Sequence, residues 1–393
     1  MSQPRRAFLP VVLVGAALAV AILIGASVRS SGRPSHPSAL GAGSARLVAG
    51  GRVPAAVRRS RSSYATGASG EELGRALGET IVSRMSGTEP SSGLLERVRE
   101  GRLGGVILFS ENFAAGTAKV ASAIKELQRE ARSAKTWPLL IMTDQEGGEV
   151  RRLADAPPKL APAEMSSTET AHSEGAAAGR ALKSIGINVD LAPVADVEQL
   201  SGSFLGERSF GGSPQLVGVR ACAFARGLSE AGVDYTLKHF PGLGTASSST
   251  DSGPVSVATR ADVLRANYSA YRRCGRGSRA LVMISNASYP TLTGADTPAL
   301  DSPEIYRAEL GRAGVKAVTI SDDLQAGAVA GLEHPALRAL SAGLDILLYA
   351  QSERAADEAY GKLEAEIQDG SLRAARVRDA AAEVARLKLS LAK

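Results

Sequence analysis

No aspartate, glutamate or lysine occurs in the first 70 residues, although nine arginines do. The formal net charge is +6, so removing those nine charges leaves −3 for residues 71–393. The basic character thus belongs to the N-terminal tail. A nucleic-acid partner, which calls for a basic patch on a folded surface, is not expected. Cysteine and histidine are also scarce, two and four in 393 residues. They cannot build a zinc module of the usual ligand spacing, so no metal is expected. Cys222 and Cys274 leave two readings open. They are either two buried small apolar side chains or one disulfide, the latter only outside the cytoplasm. No GxxxxGK(S/T) or GxGxxG turn follows an apolar run, so no nucleotide cofactor is expected.

What the sequence does have begins with Phe8 to Val28, a charge-free apolar run of 21 residues. At about 1.5 Å per residue, a helix of that length crosses a hydrocarbon core of about 30 Å. Arg5 and Arg6 precede it, which keeps residues 1–7 cytoplasmic and sends the rest across. A cleaved signal peptide would have a shorter apolar region and a clear small-x-small site. The best such site, Gly25 to Ser27, is poor. An uncleaved anchor over 8–28 is therefore the expectation, with secretion after cleavage as the alternative. The stretch Arg5-Arg6-Ala7-Phe8-Leu9 also resembles a twin-arginine export signal. No cysteine directly follows the run, which excludes a lipid-modified anchor. Residues 29–68, rich in Ser, Gly, Pro, Ala and Arg, read as a disordered tether.

From residue 69 onward the pattern is that of a folded domain to residue 393. Amphipathic helical stretches recur at 71–86, 115–132, 171–184, 214–230, 258–272, 301–312, 335–342 and 354–368, with a last one at 370–392. That last stretch reads as a helix packed on the outside of the domain as a lid. Between the others lie short apolar runs at 104–110, 138–144, 187–194, 233–239, 279–285, 316–321 and 344–349. Continuous apolar runs of this length suit parallel strands buried on both faces. Polar residues end nearly every run: Ser110, Asp144, Asp196, Lys238 and His239, Ser285, and Ser321 with Asp322 and Asp323. A barrel collects all strand ends at one rim, whereas a doubly wound sheet uses one crevice. The distribution predicts an α/β fold of the (β/α)₈ TIM type, with one element irregular or missed because only seven strands are legible.

Three segments carry chemistry. In 143–152 (TDQEGGEVRR), Asp144 is an acceptor-only side chain at the rim. Gly147 and Gly148 allow a sharp turn there, and Arg151 or Arg152 can reach back across the mouth. In 237–253 (LKHFPGLGTASSSTDSG), Lys238 and His239 end a strand before a Ser-rich loop that reaches Asp251. In 319–329 (TISDDLQAGAV), Asp322 ends a buried strand. Rigid placement of a carboxylate there suits a nucleophile.

These segments, together with LAPVADV (191–197), ERSFG (207–211) and ALSAGLDILL (339–348), resemble the family 3 glycoside hydrolases in that family's order. The similarity is to the single-domain β-N-acetylhexosaminidases of bacterial peptidoglycan turnover, over about residues 71–390. The resemblance implies a retaining hydrolase that removes terminal β-linked N-acetylglucosamine through a glycosyl-aspartate intermediate on Asp322. It implies that Asp144, Arg152, Arg208, Lys238 and His239 bind the sugar or fix the neighbouring carboxylates. It makes Asp251 the aspartate of an Asp-x-His dyad whose histidine is the acid/base catalyst. Glu146 is expected to fix the backbone rather than to serve as a second acid.

The sequence departs from that pattern at the dyad itself. Asp251-Ser252 is followed by Gly253, which has no titrating group; Leu243 stands for the family's second motif histidine and Asn286 for a strand-end histidine. The remaining histidines, His36, His172 and His334, lie in the tether, at a helix start and in a loop. One reading makes Asp251 the acid, in a two-carboxylate arrangement that needs a desolvated setting. Glu207 is an alternative, and a weak or inactive glycan-binding protein is a third. A β-glucosidase or β-xylosidase of the same family is a further reading. The expected partners are a carbohydrate substrate and, through residues 8–28, a membrane. A monomer is expected, on the extracytoplasmic side.

Overall fold

Ile81–Arg84 forms a strand (β1) where the sequence predicts the end of a helix. In the computed structural model, which describes residues 70–391, helix α1 spans Gly70–Glu79 and stops just before it. No glycine or proline divides the two. Instead, Thr80 turns its hydroxyl onto the Leu77 carbonyl at 2.7 Å, a local bond that competes with helix continuation. Ile81 and Val82 then enter the core. This is the strand that the apolar runs did not reveal.

The other strands fall inside the predicted runs, except that Asp234–Phe240 extends one residue beyond its run. They are β2 (Gly105–Ile107), β3 (Leu140–Thr143), β4 (Val189–Asp190), β5 (Asp234–Phe240), β6 (Ala280–Ile284), β7 (Val318–Ser321) and β8 (Leu347–Tyr349). All pair in parallel, in the order β8-β1-β2-β3-β4-β5-β6-β7. A parallel bridge between Ile320 and Ile346 joins β7 to β8 and closes the ring. The result is a (β/α)₈ barrel with its strand C-termini on one rim.

Helices α2 (Ser92–Arg99), α3 (Thr117–Ser133), α4 (Thr168–Ile185) and α5 (Pro214–Glu230) follow in order. Of these, only α2 was not foreseen. The stretch predicted as one helix over 258–272 is two short ones, α6 (Ala261–Ala266) and α7 (Ser269–Cys274). The stretch 301–312 holds a wide turn, Ile305–Glu309, and one α-helical turn, Leu310–Arg312. Helices α8 (Pro335–Ala342), α9 (Glu353–Gln368) and α10 (Ala374–Leu391) complete the fold. Cys222 of α5 and Cys274 of α7 form a disulfide with Cα atoms 5.8 Å apart, which decides between the two readings of the cysteines.

Inward-facing Val82, Leu140, Val189, Leu281, Val318 and Ile346 fill the barrel, and Val384 and Leu387 of α10 belong to the same cluster. Helix α10 therefore plugs the barrel floor. This corrects the expectation of a lid packed on the outside, because its apolar face meets the bottom layer of the barrel interior. Lys388 on that face is fully buried and pairs with Glu79 of α1. The pair satisfies two charges whose burial alone would cost several kcal/mol each, roughly. The predicted anchor at 8–28 and tether at 29–68 lie outside the described residues. Among the described residues no helix is long and apolar enough to cross a membrane.

Candidate active site

The rim opens into a cavity of about 320 Å³, near the lower end of the roughly 300–1,000 Å³ usual for ligand pockets. Its wall includes Asp144, Arg152, Arg208, Lys238, His239, Asp251 and Asp322. The structure thus brings together all seven residues singled out in the sequence. Three strand ends, β3, β5 and β7, supply most of them, and the loops after β4 and β5 supply Arg208 and Asp251.

After β3 the chain makes a small hairpin, Gln145–Gly147 against Val150–Arg151. Gly147 and Gly148 have φ of +109° and +56°, the region where side chains are strained. A Cβ would also strike the Leu160 carbonyl at the first and the Glu207 carboxylate at the second. The hairpin carries Arg152 back so that its Nη2 lies 3.5 Å from Asp144 Oδ2. Glu207 accepts the Glu149 N–H at 3.0 Å and is exposed. It props the hairpin and is not part of the cavity wall, which corrects its candidacy as the acid.

A strand normally turns successive side chains to opposite faces. Lys238 and His239 nevertheless both line the cavity. The ladder from β5 to β6 shifts register between Leu237 and Phe240, and this irregularity accommodates the pair. Lys238 Nζ donates to Asp144 Oδ1 and Glu146 Oε1, both at 2.7 Å. Arg208 grips Glu146 through Nε and Nη2, each at 2.8 Å. Planar two-point contact of this kind fixes orientation as well as charge.

These contacts set the charges. Burial works against ionised Glu146, but Lys238 and Arg208 outweigh it and hold the carboxyl down to about 2. Asp144 is likewise lowered against its burial, by Lys238 and Arg152. Lys238 is raised, burial being outweighed by its two carboxylates. Glu146 is therefore a permanent anion that orients two cations. Deeper in the barrel, burial pushes Asp190 up to about 8, against the Gln145 amide and Lys238. The shift favours its protonated form.

Asp322 follows β7, partly open to the cavity. Its own Oδ1 accepts the Asp323 N–H at 2.8 Å. Burial raises its carboxyl above the usual range, and His239 and the Asp323 amide restrain the rise. Asp323 faces the neighbouring strand, accepting from Ala350 N at 3.0 Å and Gln351 Nε2 at 2.8 Å. Asp251 is exposed and accepts from Ser249 Oγ at 3.1 Å. Its loop is tied down by Gly327 N to Asp251 O at 3.0 Å and Ala328 N to Thr250 O at 2.9 Å. The desolvated setting that an acid at Asp251 requires is not there.

Among the described residues no other histidine replaces Gly253. His172 pairs with Glu230 and His334 with Glu366, neither in the cavity wall. Asn286 is buried and donates to the Asp323 carbonyl at 2.8 Å. Sequence reasoning missed Asp196 and Asp323 as positioning groups. The motif LAPVADV contained the first and the doubled aspartate of SDDL the second, but only the fold shows what they hold. It also missed Phe109 and Phe204, apolar walls of the cavity. Among the described residues no group of His, Cys, Asp and Glu is arranged to hold a metal ion.

Residues 76–387 match the Glycosyl hydrolase family 3 N terminal domain. The chain is 35% identical over 290 residues to an uncharacterized secreted glycosyl hydrolase of Arthroderma benhamiae, covering 70% of this chain and 82% of that one. It is 32% identical over 298 residues to a beta-hexosaminidase of Xanthomonas euvesicatoria, covering 70% and 85%. Its fold is similar to a glycoside hydrolase family 3 β-N-acetylglucosaminidase from Paenibacillus sp., with a TM-score of 0.75 at 28% identity. That comparison covers 81% of this chain and 62% of the Paenibacillus enzyme.

Proposed function

Because the chain belongs to glycosyl hydrolase family 3, we propose that it is a retaining β-N-acetylhexosaminidase acting on terminal β-linked N-acetylglucosamine of cell-wall glycan or muropeptides. The observation that carries this reading is the Asp322 carboxylate at the mouth of the cavity that Asp144, Lys238, Arg208 and His239 also line. Asp322 attacks the anomeric carbon, and the bond to the leaving oxygen breaks. Water then attacks the same carbon, gives up a proton to solvent and releases Asp322 as the carboxylate. Asp144, clasped by Lys238 and Arg152, accepts hydroxyl protons of the sugar as hydrogen bonds. Arg152, Arg208 and His239 offer donors to its oxygens and N-acetyl group.

The leaving oxygen needs a proton in the first step, and the chain is poorly equipped to give one. Gly253 has no side chain and Asp251 is open to water. General acid catalysis contributes typically ~10²–10⁴-fold. The enzyme should therefore cleave aryl β-N-acetylglucosaminides, whose leaving groups need little help, far better than disaccharides. A series of aryl glycosides of graded leaving-group acidity tests this. A steep dependence is expected; a flat one, with disaccharides cleaved equally fast, contradicts it. Faster cleavage of aryl glucosides or xylosides would transfer the reading to another sugar.

Gly253 also favours a second reading, a glycan-binding protein without turnover. Calorimetric binding of muropeptide fragments with no cleavage of any aryl glycoside is its signature. The secreted relative and the disulfide support an extracytoplasmic site for the domain. The apolar run at 8–28 would tether it to the membrane, or guide its secretion if cleaved.

A further inference from the structure

Residues 265–279 contain five arginines and no aspartate or glutamate, and residues 310–316 add Arg312 and Lys316, again without an acid. The fold places both segments together. The first leads through α7 into the start of β6, and the second leads into the start of β7. These two strands are neighbours, and their N-terminal ends lie on the barrel floor, opposite the cavity. Arg276 Nε donates to the Gly314 carbonyl at 2.6 Å, and Lys316 N to the Gly275 carbonyl at 2.9 Å, so the two segments are stitched to each other.

Among the described residues, Asp262 acts on Arg265, and two carboxylates pair with the segments directly. Asp234 takes Arg279 at 2.8 Å, and Glu309 is shared between Arg265 and Arg312, each at 2.8 and 2.7 Å respectively. Arg272 donates to backbone carbonyls of Arg265 and Ala266, which carry no charge. Arg272, Arg273, Arg276, Arg312 and Lys316 are exposed. A domain of net charge about −3 thus presents one cationic face, hidden in its bulk composition. The Cys222–Cys274 disulfide fixes the end of α7, beside Arg272 and Arg273, to α5.

We propose that this floor patch docks on the surface of an anionic phospholipid bilayer. Lysine and arginine near a negatively charged lipid surface are attracted to it, and the attraction fades within a Debye length. Three observations favour lipid over a nucleic acid. The disulfide belongs to an oxidising compartment. The chain carries an apolar run long enough to enter a bilayer at 8–28. And docking by the floor leaves the cavity, at the other end of the barrel, open to a substrate. The proposal does not depend on the hydrolase reading.

Hydrogen–deuterium exchange of the full chain mixed with vesicles tests it, because exchange is read segment by segment and so separates the patch from the nine N-terminal arginines, which also respond to lipid charge. Vesicles of phosphatidylcholine alone are compared with vesicles that also contain phosphatidylglycerol. Amides of 272–279 and 312–316 should be protected on the anionic vesicles and not on the neutral ones. That protection should be lost at high salt and in a variant carrying Arg272→Glu, Arg273→Glu, Arg276→Glu and Lys316→Glu. Exchange elsewhere in the barrel shows whether the variant is folded; a less heavily altered Arg273→Gln and Lys316→Gln variant, with partial loss, serves if it is not. Equal exchange on both vesicle types overturns the proposal. So does protection by soluble polyphosphate with none on the bilayer, which would make the partner a free polyanion.

Discussion

Asp196 holds His239 at two points. Its Oδ2 accepts from the ring Nδ1 at 2.8 Å, and its Oδ1 accepts the His239 backbone N–H at 3.1 Å. The same Oδ1 takes the Leu243 N–H at 2.8 Å. The ring is thereby fixed, with Nε2 as the nitrogen left for a ligand. Asp196→Ala leaves two buried amides without an acceptor, at a cost of roughly 1–3 kcal/mol each. A lower Tm and a raised KM for aryl N-acetylglucosaminide are expected. Calorimetry and steady-state kinetics check both; wild-type values for each would show that the clamp is idle.

Gly253 has no atom within 4 Å of where a Cβ would stand, and its φ is outside the left-handed region. The position can therefore accept a side chain. Gly253→His should raise disaccharide hydrolysis by about 10²-fold, the lower end of what a general acid supplies, and aryl glycoside hydrolysis far less. No gain on the disaccharide would mean that the slow step is not protonation of the leaving oxygen.

Arg208→Ala leaves Glu146, whose side chain is fully buried, with Lys238 as its remaining cation, itself shared with Asp144. Breaking a buried pair in this way costs about 3–5 kcal/mol. The Glu146 carboxyl is held at about 2 in the fold against an ordinary 4.5. Its stabilising contribution is therefore present above pH 4.5 and is lost as pH falls towards about 2. Acid unfolding of Arg208→Ala, followed by circular dichroism, should begin at higher pH than that of the wild type. An unchanged acid midpoint would contradict the pairing.

Asp190 acts in the opposite direction. Burial pushes its folded carboxyl up to about 8 from an ordinary 3.8, so the folded state binds more protons between the two. Its contribution is complete below pH 3.8 and disappears as pH rises to about 8. Asp190→Asn should flatten that decline while keeping an oxygen for the Gln145 N–H, 2.9 Å away. Urea midpoints from pH 5 to 8 give the slope; identical slopes for the two proteins would show that Asp190 is ionised throughout.

Much of this was legible in the residues. Apolar runs bounded by polar ends located seven strands and the rim, because strands buried on both faces leave an unbroken apolar signature. β1 escaped because only Thr80 stands between its helix and its strand, and the nearest glycine, Gly78, lies inside the helix. Its end is set by Thr80 and by the neighbours Ile81 meets only in the closed barrel. All seven chosen site residues share one cavity because motif position at a strand end fixes rim position. What remained hidden was relational. Nothing local says that Asp196 holds His239, that Glu146 is clasped by two cations, or that α10 reaches the floor. The cationic face was hidden for the same reason, since two segments distant in sequence come together only in space.

The most direct test of the account is a covalent one. Incubation with an activated 2-fluoro-sugar, followed by proteolysis and mass spectrometry, should place one sugar on the peptide containing Asp322. Asp322→Ala should carry none and lose roughly 10³-fold or more in turnover of the aryl glycoside. A sugar on a different carboxylate, or equal turnover by Asp322→Ala, would contradict the central claim.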